Sequence, residues 1–373
     1  MAMNSSPFIN KKFLGVVVLA LVLATAVLVW MERMPLLAWF YVRKLAGAGG
    51  GDRAVWVERV AGLGEPALGE VLACLNDPSP QCCANARAAL DKLTSRWGPG
   101  DPRTIALAHR CGREFQRMSV AGQGNVLELA AGWFANSAGD PTAAASLVAP
   151  AARLLAEAVR SRDVEVQIRA LDLCAVLVRQ PQAGDASSSS RELVSACLGS
   201  GDPAVRVRAA GLTLQPGLDL SEQVVPLLAD PVAEVRRAAL LAVSLDEGVL
   251  DDVLLPCLHD SDAEVRARCE VVLANRGRTP QQIRLGRLLT HPDPVERIKV
   301  LRLLHDAPDL DPTLWLQRLS HDPSPAIRIA AVRVMIENLS APPHERLTEM
   351  AQSDPSESVA WVARCYLQKL QPH

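Results

Sequence analysis

A segment of about 31 residues recurs along the C-terminal half of the chain and constrains the fold more than any other feature. Six copies align on the residue before a recurrent arginine, and successive copies lie 30 to 32 residues apart. The aligned residues are Val205, Val235, Val265, Glu296, Ile327 and Val359. The positions four, seven and eight residues further on are mostly apolar, a spacing that marks one face of an α-helix. Each copy therefore predicts one amphipathic helix.

A second apolar stretch precedes each of these helices, and a short turn joins the two. Four of the turns contain an Asp-Pro pair, which begins at Asp202, Asp230, Asp322 or Asp354. Aspartate can cap a helix N-terminus, and proline suits the first helical position. Two short helices cannot bury both apolar faces alone, so each pair must stack on its neighbours. The pattern predicts an all-α fold, an α-solenoid of antiparallel helix pairs.

The amino-acid composition supports a helical fold, and the repeat pattern divides the chain into regions. Hydrophobic residues make up 49% of the sequence but aromatic residues only 4%, which is typical of closely packed Ala-, Leu- and Val-rich helices. We predict degenerate helical repeats over residues 53–180, a Ser-rich loop over residues 181–190 and clear repeats over residues 191–370.

The N-terminal region has a different character, because residues 13–31 form a charge-free apolar run. A helix of this length spans about 28 Å, close to the ~30 Å hydrocarbon core of a bilayer. We therefore expect a single transmembrane helix over residues 13–31, after a short tail over residues 1–12. Residues 34–45 suit either an interfacial helix or a first docking helix of the fold, and residues 46–52 suit a Gly-rich linker.

A cleaved secretory signal is the competing interpretation of the apolar run, with Ala24-Thr25-Ala26 as its cleavage site. The run continues beyond this site, which favours a retained anchor. Basic residues flank both ends, so they set no clear orientation. We expect a single-pass membrane protein with the repeats on the non-cytoplasmic side, because a short basic leader before a single anchor commonly exports the domain on the C-terminal side of that anchor.

The motif D-P-x-x-x-V-R-x-x-A-A, clearest at Asp230 to Ala239 and at Asp322 to Ala331, resembles HEAT repeats. Within that family it is similar to the short bacterial kind also found in phycobilin lyases. The resemblance covers residues 191–370 and implies a right-handed superhelix that most often serves as a protein-binding scaffold. Three residues depart from the motif: His291 replaces its aspartate, Ser261 its proline and Ala360 its arginine.

The resemblance also implies a structural ladder between adjacent repeats, in which turn acids oppose the recurrent arginines. The ladder residues are Asp202, Asp230, Asp260, Asp322, Arg206, Arg236, Arg266, Arg297 and Arg328. A second basic set lies beside this column on the same helices: Arg208, Arg237, Arg268, Lys299, Arg302 and Arg333. This set forms either a surface for an acidic partner or a solvated face paired internally, and the net charge of -2 favours the second.

The cysteines and histidines could pack in the core and turns of the fold, or they could form a disulfide or bind a metal ion. Cys82 and Cys83 suit core packing better than a vicinal disulfide or a metal pair, because no CxxC motif or nearby histidine completes a zinc set. His259, His291 and His321 recur near the turns and are expected to fill them. We expect no metal and no cofactor.

The chain contains no GxxxxGK[ST], HExxH or GxSxG motif and no strand followed by GxGxxG. The predicted function is therefore a membrane-anchored HEAT-repeat scaffold that mediates protein–protein interaction, without catalysis of its own. Its partner is another protein, and no nucleic acid is expected because the chain has no basic excess. Two enzyme alternatives remain: a bilin-lyase-like protein, suggested by the repeat subtype, and a HEAT-type DNA glycosylase.

Overall fold

The computed structural model describes residues 34–137, 139–180, 184–244, 246, 248–306, 311–338 and 344–370. Within these ranges all regular secondary structure is helical, so the all-α part of the predicted fold class is confirmed. The chain divides between Leu220 and Ser221 into two compact units.

The predicted transmembrane architecture is contradicted. Among the described residues, no helix combines the length and the apolar character needed to cross a bilayer. Pro80–Trp97 and Pro141–Ala158, with 18 residues each, fall short of the ~20 apolar residues required and contain charged side chains. The prediction of a single-pass membrane location is therefore wrong and is not retained. Residues 1–12 and 13–31 themselves lie outside the described residues.

The helices of the first unit alternate between two layers. They are α1 (residues 34–46), α2 (Asp52–Leu63), α3 (Leu68–Cys74), α4 (Pro80–Trp97), α5 (Pro102–Glu114), α6 (Val120–Asn136), α7 (Pro141–Ala158), α8 (Val164–Leu177), α9 (Gly184–Leu198) and α10 (Pro203–Leu212). In one layer α2, α4, α6, α8 and α10 pack successively, and in the other α5, α7 and α9 do so. Short 3-10 turns occupy Glu65–Ala67 and Phe115–Arg117.

The first described helix docks onto the unit through Ala38, Val42 and Leu45, which are buried. The turn after this helix is fixed rather than free, because Asn85 Nδ2 donates hydrogen bonds to the carbonyl oxygens of Leu45 (2.8 Å) and Ala48 (2.9 Å). Residues 46–52 were predicted as a linker; residue 46 ends α1, residue 52 begins α2, and residues 47–51 form a held turn between the two helices.

The Ser-rich stretch also differs from its prediction. Residues 184–190 are not a loop but the first turns of α9. Serine is only slightly unfavourable in a helix, and the apolar residues Leu193, Val194 and Cys197 further along α9 are buried. Packing of the second half of the helix thus outweighs the weak preference of its first half. Residues 181–183 lie outside the described ranges.

The first clear copy of the repeat belongs to the first unit, and the other five copies belong to the second unit. Its helices are α11 (Ser221–Val224), α12 (Ala233–Val243), α13 (Asp251–Leu254), α14 (Ala263–Asn275), α15 (Pro280–Leu289), α16 (Pro294–Arg297), α17 (Lys299–His305), α18 (Thr313–Leu319), α19 (Pro325–Asn338), α20 (His344–Ser353) and α21 (Glu357–Leu370). Five-residue 3-10 helices, Val225–Ala229 and Leu255–His259, extend α11 and α13. Helices α12 and α14 pack directly on each other, as do α19 and α21.

The predicted apolar face of the repeat is confirmed. At the position four residues after the aligned residue, every side chain is fully buried: Ala209, Ala239, Cys269, Val300, Ala331 and Ala363. These side chains are small or medium in size, which allows neighbouring helices to approach closely.

Candidate binding cleft beside an interrupted arginine bridge

The five recurrent arginines share one local geometry. In each, Nη1 donates to the carbonyl oxygen six residues earlier, at 2.6–2.9 Å, and to the next carbonyl oxygen as well. The arginines are Arg206, Arg236, Arg266, Arg297 and Arg328. Each guanidinium thus satisfies the carbonyl groups of the turn that precedes its own helix.

Arg236, Arg297 and Arg328 also reach a turn one repeat further on. Arg236 donates to both carboxylate oxygens of Asp260, with both bonds at 2.6 Å. Arg297 binds Asp322 at 2.8 and 3.0 Å. Arg328 binds Asp354 in the same way, at 2.9 and 2.7 Å. Paired bonds between a guanidinium and a carboxylate are strong and geometrically specific, and we call each such contact an arginine bridge.

Asp354 was not among the predicted ladder residues. The signal was present, because the Asp354-Pro355 pair has the same turn pattern as Asp322-Pro323. The last copy lacks an arginine of its own, with Ala360 in that place. It nevertheless supplies the acid for the arginine of the copy before it.

The bridges are shielded from solvent and alter the ionisation of their members. The side chains of Arg328 and Asp354 are 8% and 3% exposed. Burial by itself raises the pKa of Asp260 and Asp354. The hydrogen bonds and positive charges of Arg236 and Arg328 lower it by more than burial raises it, so each pKa lies below its ordinary value. The hydrogen bonds that Arg236 donates to Asp260 likewise raise the pKa of Arg236. Folding therefore favours the charged form of these groups.

The next bridge along the second unit is interrupted at Arg266. The residue at the corresponding turn position is His291, whose Nδ1 accepts a hydrogen bond from the backbone N–H of Asp293 at 3.1 Å. Asp260 makes the equivalent bond to the N–H of Asp262 at 2.7 Å. His291 thus holds its turn as aspartate does, but a neutral imidazole offers no carboxylate to a guanidinium. Arg266 has no ion pair with any described residue.

The same repeat carries a second departure, Glu296, where the other copies have valine or isoleucine. A core cluster joins Leu285 of α15 to Val300 of α17 and continues into α18 and α19 without any residue of α14. Helices α14 and α17 also lack the close packing that joins α12 to α14.

An open cleft of about 940 Å³ occupies this junction. Val271 and Ala274 of α14 form one wall, Ile283 and Leu288 of α15 lie between the walls, and Leu303 belongs to the other wall. Val271 is 58% exposed, which is high for a valine on a packed helix. The volume is at the upper end of the ~300–1,000 Å³ typical of ligand pockets.

Charged side chains surround the apolar part of this cleft. Arg287 pairs with Glu270, and Lys299 pairs with Glu296. Two further arginines of the lining, Arg284 and Arg302, are exposed and form no ion pair or side-chain hydrogen bond with any described residue. Asp306 is the remaining acid of the lining.

The predicted basic surface is largely neutralised. Arg208 pairs with Asp172, Arg237 and Arg268 both pair with Glu264, and Lys299 pairs as described above. Only Arg302 and Arg333 of that set have no ion pair with a described residue. Arg284 was missed, because it lies on the first helix of its pair, where the sequence shows no recurrent basic column.

The cysteines are free thiols in buried or half-buried positions. Cys83 Sγ lies 3.4 Å from Ser119 Oγ and contacts the carbonyl oxygens of the turn after α3. Cys82 instead makes a side-chain contact with Cys74, and burial raises the pKa of Cys74 to about 12. The two neighbouring cysteines therefore pack in different surroundings, each as part of a helix interface.

The three histidines make contacts at their turns. His259 Nε2 donates to the carbonyl oxygen of Arg287 at 2.6 Å, and its ring meets the ring of His291 edge-on with centroids 5.2 Å apart. His321 Nδ1 lies 3.0 Å from the carbonyl oxygen of Gln317. In the part of the chain that the structure describes, no group of three or more His, Cys, Asp or Glu residues is placed to hold a metal ion.

The arrangement at the cleft is suited to binding, since it combines exposed apolar side chains with two arginines, Arg284 and Arg302, that form no ion pair with a described residue. At this junction His291 and Glu296 stand in place of the aspartate and the apolar residue that occupy the same positions, Asp260 and Val265, at the junction of α12 with α14. No protein-family model matches this chain, and no curated protein is similar to it in sequence.

Proposed function

We propose that the chain is a helical-repeat scaffold of the HEAT type, an α-solenoid that binds another protein and performs no catalysis itself. The recurrent arginine bridge is the observation that carries this proposal. Each bridge joins two turns that are 24 to 26 residues apart in the sequence. An array of repeats is built from such contacts between neighbours. Such arrays expose one long helical surface, which suits recognition of a protein better than enclosure of a substrate.

The cleft between α14 and α17 supports the same function. Its walls are aliphatic and charged, with no aromatic side chain among the described residues of the lining. A bilin-binding site would need a surface for a large conjugated ring, and a glycosylase would need a strongly basic groove. No observation specifically favours either alternative.

Site-specific photo-crosslinking of the full-length protein tests the proposal. A photoreactive residue at Val271, in the cleft, is expected to give a discrete crosslinked product with another polypeptide in cells. Val120 is the matched control, because it is also a valine of high exposure, at 49%, but lies on α6 in the first unit. Absence of any product at Val271, or the same products at both positions, would contradict the scaffold proposal.

A further inference from the structure

We infer that the cleft between α14 and α17 is the binding site for an acidic amphipathic helix of a partner protein. This inference rests on the proposed scaffold function and names the chemistry of the partner. Arg284 and Arg302 would pair with carboxylates of the helix, and the aliphatic lining would receive its apolar face.

The aliphatic part of the cleft suits one face of a helix. Val271 is more than half exposed, and Ile283, Leu288 and Leu303 are each half-buried. These side chains come from three different helices of the unit and together form one open apolar surface. Partner helices bind such grooves through apolar residues at i, i+3 or i+4, and i+7.

The gap itself favours a helix over an extended strand. At the junctions of α12 with α14 and of α19 with α21, one helix packs directly on the next. The interrupted junction lacks that neighbour on the exposed side of α14. A helix laid over the gap would give Val271 and Leu303 the type of contact that the closed junctions already have, whereas a strand would find no strand edge among the described residues to pair with.

The charges select an acidic partner. The acids Glu270 and Glu296 are engaged by Arg287 and Lys299, so they are not available to the other two arginines. An incoming carboxylate would therefore meet Arg284 or Arg302 without displacing an existing ion pair. A basic helix would instead place like charges together, which opposes association.

Selection from a phage library of helical peptides tests the inference with the full-length protein as target. The library keeps leucine at i, i+3 and i+7 and randomises the flanking positions. We expect enrichment of Glu and Asp at those positions against the wild-type protein. Selection against the double variant Arg284→Glu/Arg302→Glu should lose this enrichment, whereas Arg333→Glu, which reverses an exposed unpaired arginine on α19 outside the cleft, should retain it.

The affinity of the best selected peptide gives the quantitative result. The double variant should bind it at least about tenfold more weakly and Arg333→Glu no more than about twofold more weakly, while Asp306→Asn, which removes an acid from the lining, should bind it more tightly. The inference is overturned if no acidic sequence is enriched, or if the double variant selects and binds the same peptides as the wild type. Crosslinking at Val271 that persists in the double variant would overturn the acidic-helix inference but leave the scaffold function standing.

Discussion

Two neighbouring junctions of the second unit differ mainly in one turn. At the first, Arg236 of α12 binds both carboxylate oxygens of Asp260, and α12 packs on α14. At the second, Arg266 donates to the carbonyl oxygens of its own turn, as Arg236 also does, but His291 stands in place of the acid in the next turn. A cleft separates α14 from α17 at this junction. The arginine alone therefore does not close a junction, and the second junction differs from the first both in its turn residue and in Glu296, which replaces an apolar residue.

The comparison also separates two tasks of the turn residue. Aspartate holds its own turn through the N–H two residues on and receives the preceding arginine. His291 performs only the first task. A histidine at this position can thus keep the local turn and its ring contact with His259 while the guanidinium–carboxylate contact between repeats is absent.

Removal of a bridging carboxylate should give the largest change in stability. Asp322→Asn keeps an oxygen for the N–H of Ser324 but leaves the Arg297 guanidinium, 11% exposed, without its counter-charge. We expect the free energy of unfolding to fall by about 3 kcal/mol, measured by urea denaturation. Asp293→Asn is the control, since this exposed acid only caps α16 and should cost less than about 1 kcal/mol. Equal losses in the two variants would refute the energetic role of the bridge.

Removal of the arginine should lower the free energy of unfolding by different amounts at the two junctions. Arg297→Met and Arg266→Met both lose the bonds to their own turn, but only the first also loses a bridge. We expect a loss of about 2 kcal/mol for Arg297→Met and less than about 1 kcal/mol for Arg266→Met in the same denaturation experiment. A larger loss at Arg266 would mean that it has a partner as effective as Asp322.

The bridges should also produce a pH dependence on the acid side. The pKa values of Asp260 and Asp354 are lowered in the folded protein, so their contribution to stability is complete above the ordinary aspartate pKa of about 4. It is lost as the pH falls through the lower, folded-state pKa. Unfolding measured from pH 6 to pH 3 should show a smaller acid-induced loss in Asp354→Asn than in the wild type. Superimposable slopes would show that the bridge is not the source.

The smallest expected effect is a gain. His291→Asp supplies a carboxylate 25 residues after Arg266, within the separation used by the bridges of Arg236, Arg297 and Arg328. We expect a stabilisation of about 1 kcal/mol, which corresponds to a rise of about 2–4 °C in the melting temperature of a unit the size of Ser221–His373. The selected acidic peptide should bind this variant more weakly, because the junction is drawn closed. Unchanged peptide affinity despite the higher melting temperature would show that restoring the bridge does not close the cleft.

The sequence predicted those features that repeat. Val235, Ala239 and Val243 are buried because their spacing matches the period of a helix, which any copy reveals. The turn acids were recognised for the same reason. Asp354 was overlooked because its own copy has no arginine, although a bridge joins consecutive copies and needs only one member from each.

Features that occur once were not predictable in this way. Arg284 lies on a helix without a recurrent basic column, and the cleft depends on the absence of packing between α14 and α17, which a periodic pattern does not express. The first turns of α9 were assigned to a loop from their serines, although packing further along the helix determines their structure. The transmembrane prediction rested on length and apolar character in residues 13–31, and no described helix has those properties.

A double-mutant cycle on the free energy of unfolding tests the central claim most directly. The four proteins are the wild type, His291→Asp, Arg266→Met and the variant with both substitutions. If an absent carboxylate is the cause of the interrupted bridge, His291→Asp stabilises the wild type by about 1 kcal/mol and has no stabilising effect once Arg266 is replaced. An equal gain with and without Arg266 would contradict the account, because the junction would then be open for a reason unrelated to the bridge.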